Sequence, residues 1–337
     1  MIAYHYREER SNYRLLEASL TLKKNLRKVP LLKKKGCINN IMPIIGITCS
    51  IAAAFFWSVA IILFKKSSDN FSPMALNLFK CTVTLVLLIP TLLLCDIDLF
   101  PDKSAYDWVM FCVSGLLGIA LADTLFFMAL TRLGAVMSAI VDCLYLPIVI
   151  FISFIFLNEI LGIKGLLGAT FVVIAIFIGS ASKKGISVTG IDFFIGIILG
   201  ILAITLIAGS IVMLKRLLEN TSVLWASFAR VLAGTLGLYL IVLLSPGRKR
   251  LLAELYPSKT WLVALPASIA GNYLAMIAWL AGMKYTMVCV AAILNQLSSV
   301  FIFILAAIFL KEPVTFSRVS ATILAVSGAI LATISAH

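Results

Sequence analysis

The sequence predicts an all-α integral membrane protein, with ten transmembrane helices arranged as two inverted five-helix repeats. Three observations lead there. Of the 337 residues, 62% are hydrophobic and only 13% charged, whereas a soluble domain lies nearer half apolar and about a quarter charged. Apolar runs of roughly 20 residues, enough to cross a hydrocarbon core of about 30 Å, recur along most of the chain. The second half of the sequence also repeats the first.

The expected spans are 43–64, 73–95, 107–130, 134–157, 161–181, 191–214, 222–244, 260–283, 286–309 and 314–334. They are continuously apolar rather than alternating, so each reads as a helix that satisfies its own backbone in lipid, not as a barrel strand. Most connections are short; only 95–106 and 245–259 have any length.

Duplication appears in two alignments. "FKKSSDNFSPMALNLFK" (64–80) lies over "LKRLLENTSVLWASFAR" (214–230) at an offset of 150, pairing Lys65–Lys66 with Lys215–Arg216 and Asn70 with Asn220. "IFLNEILGIKGLLGATFVVIAIFIG" (155–179) lies over "IFLKEPVTFSRVSATILAVSGAILA" (308–332) at an offset of 153, pairing Glu159 with Glu312; Gly118 then pairs with Gly271. The chain divides accordingly into a basic tail, 1–42, and two repeats, 43–181 and 191–335. Five spans per repeat is an odd number, so the second copy must enter the membrane upside down. Inverted repeats of this kind let two mirrored halves exchange inward-open and outward-open shapes around a midplane site.

Ten of the 28 Lys and Arg residues lie in residues 1–35, and most others lie between apolar runs. The net charge of +13 therefore reads as charge at a membrane surface rather than a nucleic-acid footprint. With the N-terminus cytoplasmic, fifteen basic residues fall on that side and eleven on the other, a small positive-inside bias. The expectation is a multi-pass protein of the cell membrane with both termini cytoplasmic. The tail lacks the apolar segment of a signal peptide, and Met42 is an alternative start for the membrane part. The seven cysteines are scattered, mostly inside apolar runs, and show no CxxC, so neither a disulfide framework nor a zinc site is expected. The only histidines are His5 and His337, at the ends. No metal and no cofactor is expected.

The stretch "ADTLFFMALTRLGAVMSAIVDCLYLPIVIFISFIFLNEILGIKGLLGATFVVIAIFIG" (122–179) resembles the EamA-type repeat of the drug/metabolite transporter superfamily. It has the Ala-Leu third span, the short Gly-containing turn, a proline in the fourth span, then Leu-x-Glu and a glycine nine residues on. Pro147, Glu159 and Gly168 occupy those positions; in the second half Glu312 and Gly328 fit, while Val300 and Ala321 replace the proline and the first glycine. Lys80 falls where the family usually has arginine, and Arg230 keeps that arginine. The resemblance covers roughly 43–335. It implies ten helices, two EamA repeats and transport of small metabolites, with amino acids or related compounds among the substrates. Expected partners are then a small-molecule substrate and the lipid bilayer, with a homodimer left open and no nucleic acid.

Certain residues stand out within the spans. A cation at the bilayer centre costs roughly 2.5–3.5 kcal/mol on insertion scales. Lys80 and Arg230 lie about seven residues inside their helices, or roughly 10 Å. They are expected to snorkel as two separate anchors or gate residues near opposite faces, without meeting at one substrate. Asp142 sits where Asn295 sits in the second repeat, so the two are the candidate substrate-binding pair, with Tyr145 and Ser298 a helical turn further on. An intramembrane carboxylate is a functional candidate by default, and Asp142 is also the candidate for proton coupling. Asp123 reads as structural or as part of coupling, with Lys80 as the neutralising partner. Trp57 and Tyr273 are candidates to shape a pocket, and Pro147 is the candidate hinge. Glu159 and Glu312, at span ends, are expected to cap the following helix or to pair with Lys164 or Arg318. No Walker A pattern is present, and the aspartates lack the Gly-x-Gly-Asp setting of membrane aspartyl proteases, which argues against an enzyme. A non-transporting scaffold or a channel-like subunit is the alternative reading.

Overall fold

The computed structural model describes residues 35–145, 190–219, 221–285, 294–312 and 314–334, with scattered positions between 147 and 178 and Ala291. The described residues are helical with no strand. In chain order they form α1 (Lys35–Ser67), α2 (Pro73–Leu94), α3 (Ala105–Gly115), a first π segment (Leu116–Ala122) and α4 (Asp123–Asp142). There follow α5 (Ile191–Glu219), α6 (Val223–Leu244), α7 (Arg248–Glu254), α8 (Trp261–Ser268), a second π segment (Ile269–Ala275), α9 (Met276–Tyr285), α10 (Leu297–Phe309) and α11 (Phe316–Ile334).

Helix starts follow local chemistry. Ser72 and Ser222 precede α2 and α6 in extended backbone (φ −66°, ψ 151° and φ −60°, ψ 135°), the conformation of a residue leading into a helix. At α2 the next residue is Pro73, whose missing N–H costs nothing in a first turn. Ser104 Oγ accepts from Asp107 N–H at 3.1 Å, and Asp107 lies in the first turn of α3, where its charge opposes the helix dipole favourably.

Six helices are long and apolar enough to cross a membrane among the described residues. One of them, Ala105–Asp142, is 38 residues long, nearly twice what a bilayer needs. Gly134 breaks it with φ 79° and ψ 175°, a region essentially reserved for glycine. The break falls at the first residue of the expected span 134–157, just after the expected span 107–130. The expected fifth span, 161–181, lies mostly outside the described residues. Helix α1 extends back to Lys35, earlier than the apolar pattern alone indicates.

The two π segments start at Leu116 and Ile269 and end at Ala122 and Ala275, each 153 positions apart. This is the offset already seen between the repeats. A π turn frees carbonyls from the regular ladder, and a buried amide uses them in the first repeat. Asn77 Nδ2 donates to Ile119 O at 2.8 Å and to Thr124 Oγ1 at 2.9 Å.

Packing exchanges elements between repeats. Helix α4 packs on α5, while α1 packs on α8, the second π segment and α9; α3 packs on α6 and α8 on α2; and α2 and α6 pack on each other. Each contact has its repeat-related counterpart, so a pseudo-two-fold axis passes between α2 and α6. One buried core gathers residues of α1, α4 and α5, such as Phe64, Phe127 and Ile204. A second gathers α2, α3 and α6 around Leu88, Phe111 and Trp225. Large apolar side chains such as Val86, Leu93, Leu236 and Leu240 are exposed on α2 and α6, as expected of helices whose outer faces meet lipid.

Candidate functional site

A cavity of ≈140 Å³ lies between the repeats. From the first repeat it takes Trp57 on α1, Gly118 and Ile119 on the first π segment, Asp123 and Asp142 at the two ends of α4, and Tyr145. The second repeat gives Ile207 on α5, Arg230 on α6, Gly271 and Asn272 on the second π segment, Met276 and Trp279 on α9, and Asn295 and Gln296. Most of these are repeat mates: Trp57 with Ile207 at an offset of 150, and Gly118 with Gly271, Ile119 with Asn272, Asp123 with Met276 and Asp142 with Asn295 at 153. The cavity therefore sits on the pseudo-two-fold axis. Its frame is symmetric and its chemistry is not.

The expected pair Asp142 and Asn295 lines this cavity together with Tyr145 and Trp57. Trp57 packs its ring 6.0 Å from that of Phe126. Asp142 is half-buried and lies within 4.0 Å of no described cation. Tyr145 is 6% exposed, and its hydroxyl is buried without a hydrogen-bond partner among the described residues.

The reading of Lys80 and Arg230 as separate anchors near opposite faces does not hold. Lys80 is 1% and Arg230 4% exposed, so neither snorkels. Lys80 forms a buried ion pair with Asp123 and stands 5.2 Å from the Phe127 ring centroid. Arg230 lines the same cavity that Asp123 lines. Distance from a helix end measures depth, but α2 and α6 meet at the axis, so a position a third of the way along either one faces the centre. Among the described residues Arg230 donates one long bond, from Nη2 to Ser210 Oγ at 3.4 Å. Its Nε and Nη1 are buried without a partner among the described residues.

Two further positions depart from expectation. Tyr273 turns away from the cavity, its hydroxyl 2.7 Å from Thr91 Oγ1 on α2, and the neighbouring Asn272 lines the cavity instead. The π segment has a wider turn than an α-helix, and in it Asn272 rather than Tyr273 reaches the cavity. Ser298 is buried, and its carbonyl accepts from Ser58 Oγ at 3.1 Å; it packs against α1 without lining the cavity. Pro147 is buried just beyond a turn at Cys143 and Leu144 that interrupts the helix after Asp142. Glu159 lies outside the described residues.

Glu312 pairs with Arg318, as expected, at 3.4 Å. It does not cap its own following helix. Its Oε1 accepts from Ala135 N–H at 2.8 Å, so a residue of the second repeat caps the helical arm that restarts after Gly134 in the first.

Sequence reasoning missed Asn272, Gln296 and Ser210. Asn272 Nδ2 donates to Thr84 Oγ1 at 3.0 Å, and Gln296 is 3% exposed. Amides inside apolar runs are themselves a signal, because each must find partners away from water.

Taken together, the cavity presents unused hydrogen-bond donors at Arg230 and Tyr145, a carboxylate at Asp142 and indole surface at Trp57 and Trp279. Such a set can hold an anionic group and a cationic group of one small molecule at the same time. No group of three or more His, Cys, Asp or Glu side chains that could hold a metal occurs among the described residues.

The EamA-like transporter family matches the sequence twice, over residues 44–180 and 194–334. No curated protein matches significantly. Among the several solved structures that match, one protein crystal structure aligns with a TM-score of 0.63 at 18% identity, covering 86% of this chain and 96% of its own. At that identity the likeness speaks for the fold alone.

Proposed function

Because this chain belongs to the EamA-like transporter family, we propose that it is a secondary transporter of small zwitterionic metabolites, amino acids or related compounds. In this reading, transport proceeds by alternating access around the cavity between the repeats. The observation that carries it is the unsatisfied Arg230 guanidinium in a cavity that also presents the free Asp142 carboxylate. A buried arginine left without partners is costly, and a substrate carboxylate meeting its Nε and Nη1 removes that cost. An ammonium group is then met by Asp142, and the body of the molecule lies along Trp57 and Trp279. In size, ≈140 Å³ compares with the cavity of about 150 Å³ that accommodates benzene in an apolar core, which suits a single amino acid better than a nucleotide.

In this reading the protein works in the cell membrane with both termini cytoplasmic. The symmetric packing of α4 on α5 and of α1 on α9 gives the repeats two equivalent ways to rock. Asp142 carries the coupling proton, because it is the carboxylate in the cavity that no cation holds. Counterflow in proteoliposomes tests the proposal: unlabelled amino acid inside should drive accumulation inside of labelled amino acid supplied outside, and an imposed proton gradient should increase flux. Asp142→Asn should raise the apparent KM for exchange, because the contact to the ammonium is weakened, and should lose the response to the gradient. Wild-type flux indifferent to protons, or a gradient response surviving in Asp142→Asn, overturns the coupling; absence of counterflow for every zwitterion tried overturns the transport reading.

A further inference from the structure

Three charged groups line the cavity, Asp123, Asp142 and Arg230, and a fourth, Lys80, stands behind one of them. Lys80 is covered almost completely, its side chain 1% exposed, while the side chain of its partner Asp123 is 14% exposed and faces the cavity. The ammonium therefore stands behind a carboxylate, with the Phe127 ring on its other flank. The repeat mate of Asp123 is Met276, which also lines the cavity and carries no charge. The pseudo-symmetry thus does not require an acid at this place, but the lysine behind it does.

We propose that Asp123 is a specificity-determining residue that sets the charge class of the transported molecule. This rests on the reading of the cavity as the transport site. By pairing with Lys80, Asp123 leaves Arg230 as the cavity cation with unpartnered N–H groups and Asp142 as the cavity carboxylate without an ion pair, among the described residues. A molecule with one charge of each sign fits. A second carboxylate on the substrate finds Lys80 already occupied and meets the Asp123 charge, so it is refused.

The consequence is directional. Removing the Asp123 carboxylate uncovers a second cation, and removing Lys80 uncovers a second anion. Two isosteric α-amino acids, one with a side-chain amide and one with a side-chain carboxylate, probe the first case. A zwitterion with an extra ammonium probes the second.

The experiment is competition counterflow with the full chain in proteoliposomes. Wild type should prefer the amide over the carboxylate. Asp123→Asn should shift that ratio toward the carboxylate by about 10-fold, the size expected when one charge-assisted hydrogen bond changes sides. Lys80→Met should shift preference toward the substrate with an extra ammonium by a similar factor. The neutral double variant Lys80→Met/Asp123→Asn should return to the wild-type ratio, and should one single variant fail to fold, the opposite shift expected of the other still decides. If Asp123→Asn lowers flux of both isosteres equally, or the double variant does not regain the wild-type ratio, Asp123 is a structural partner of Lys80 and the inference falls. Wild-type protein that moves no zwitterion overturns the transport reading beneath it, a result distinct from flux with an unshifted ratio.

Discussion

Arg230 is placed at the cavity by small neighbours as much as by its own helix. A Cβ added to Gly118 would stand 2.5 Å from Ser210 Oγ and 3.1 Å from Arg230 Nη2, so Gly118→Ala should displace the guanidinium and weaken substrate binding without removing any charge. Arg230→Gln removes the charge itself. A hydrogen bond to a charged group contributes about 1.5–3 kcal/mol, so the apparent KM for a zwitterion should rise about 10- to 100-fold, measured from the concentration dependence of counterflow. Arg230→Lys should recover part of the loss, since a point charge replaces a fork; full recovery would mean that the guanidinium geometry contributes nothing. Much of this site could be read in advance. Asp142 and Asn295 were legible because a polar group in an apolar run needs a reason, and the repeat paired them. The convergence of Lys80, Asp123 and Arg230 was not, because position along one helix says nothing about which helices meet at the axis. Tyr273 was named for its aromatic ring alone, and nothing in "SIAGNYLAM" announces the π segment in which Asn272 reaches the cavity instead.

At the scale of elements, the junction at Gly134 ties the repeats together. Gly134 holds φ 79°, and a Cβ there would stand 3.0 Å from Glu312 Oε1. Glu312 in turn accepts from Ala135 N–H and pairs with Arg318, whose side chain is 1% exposed. Lys65 lies at the same end of the bundle, its Nζ donating to Thr131 O at 3.1 Å. Gly134→Ala should destabilise the protein by about 1–3 kcal/mol, the cost of a residue forced into a sparsely populated region. Glu312→Gln weakens the cap and leaves Arg318 short of its counter-charge, for a loss of about 1–3 kcal/mol. Because both changes act on one contact, their effects should not add. Thermal unfolding of the two single variants and the double in detergent measures this directly, and additivity within about 0.5 kcal/mol would show that Gly134 and Glu312 act independently. The turn itself was visible in "TRLGAV" and the glutamate in "LKEP". That one caps the other could not be seen, because the sequence offers no measure of contact between residues 177 positions apart.

For the whole molecule, interlocking decides what can move. The first helix of each repeat packs against the third and fourth spans of the other, as α1 does on α9 and α10, and α5 on α4. Neither repeat is therefore a free-standing bundle, and under the alternating access proposed above these two interfaces slide or rock in opposite senses. The approach of α1 and α9 is close: a Cβ on Gly282 would lie 2.3 Å from Ser50 Oγ and 3.3 Å from Ser50 N. A Ser50→Cys/Gly282→Cys variant, with the native exposed cysteines Cys95 and Cys112 replaced by serine, therefore brings two thiols within reach of a disulfide, which needs Cβ atoms roughly 3.5–4.5 Å apart. Oxidation should lock α1 to α9 and stop counterflow, and reduction should restore it, while substrate binding to the locked protein survives on whichever side the cavity faces. The side to which a bound, labelled zwitterion can still exchange in locked proteoliposomes then reports the orientation of this state. A fully oxidised variant that still exchanges substrate across the membrane would show that the α1–α9 interface is rigid through the cycle, and the movement would have to be sought at α4 and α5 alone.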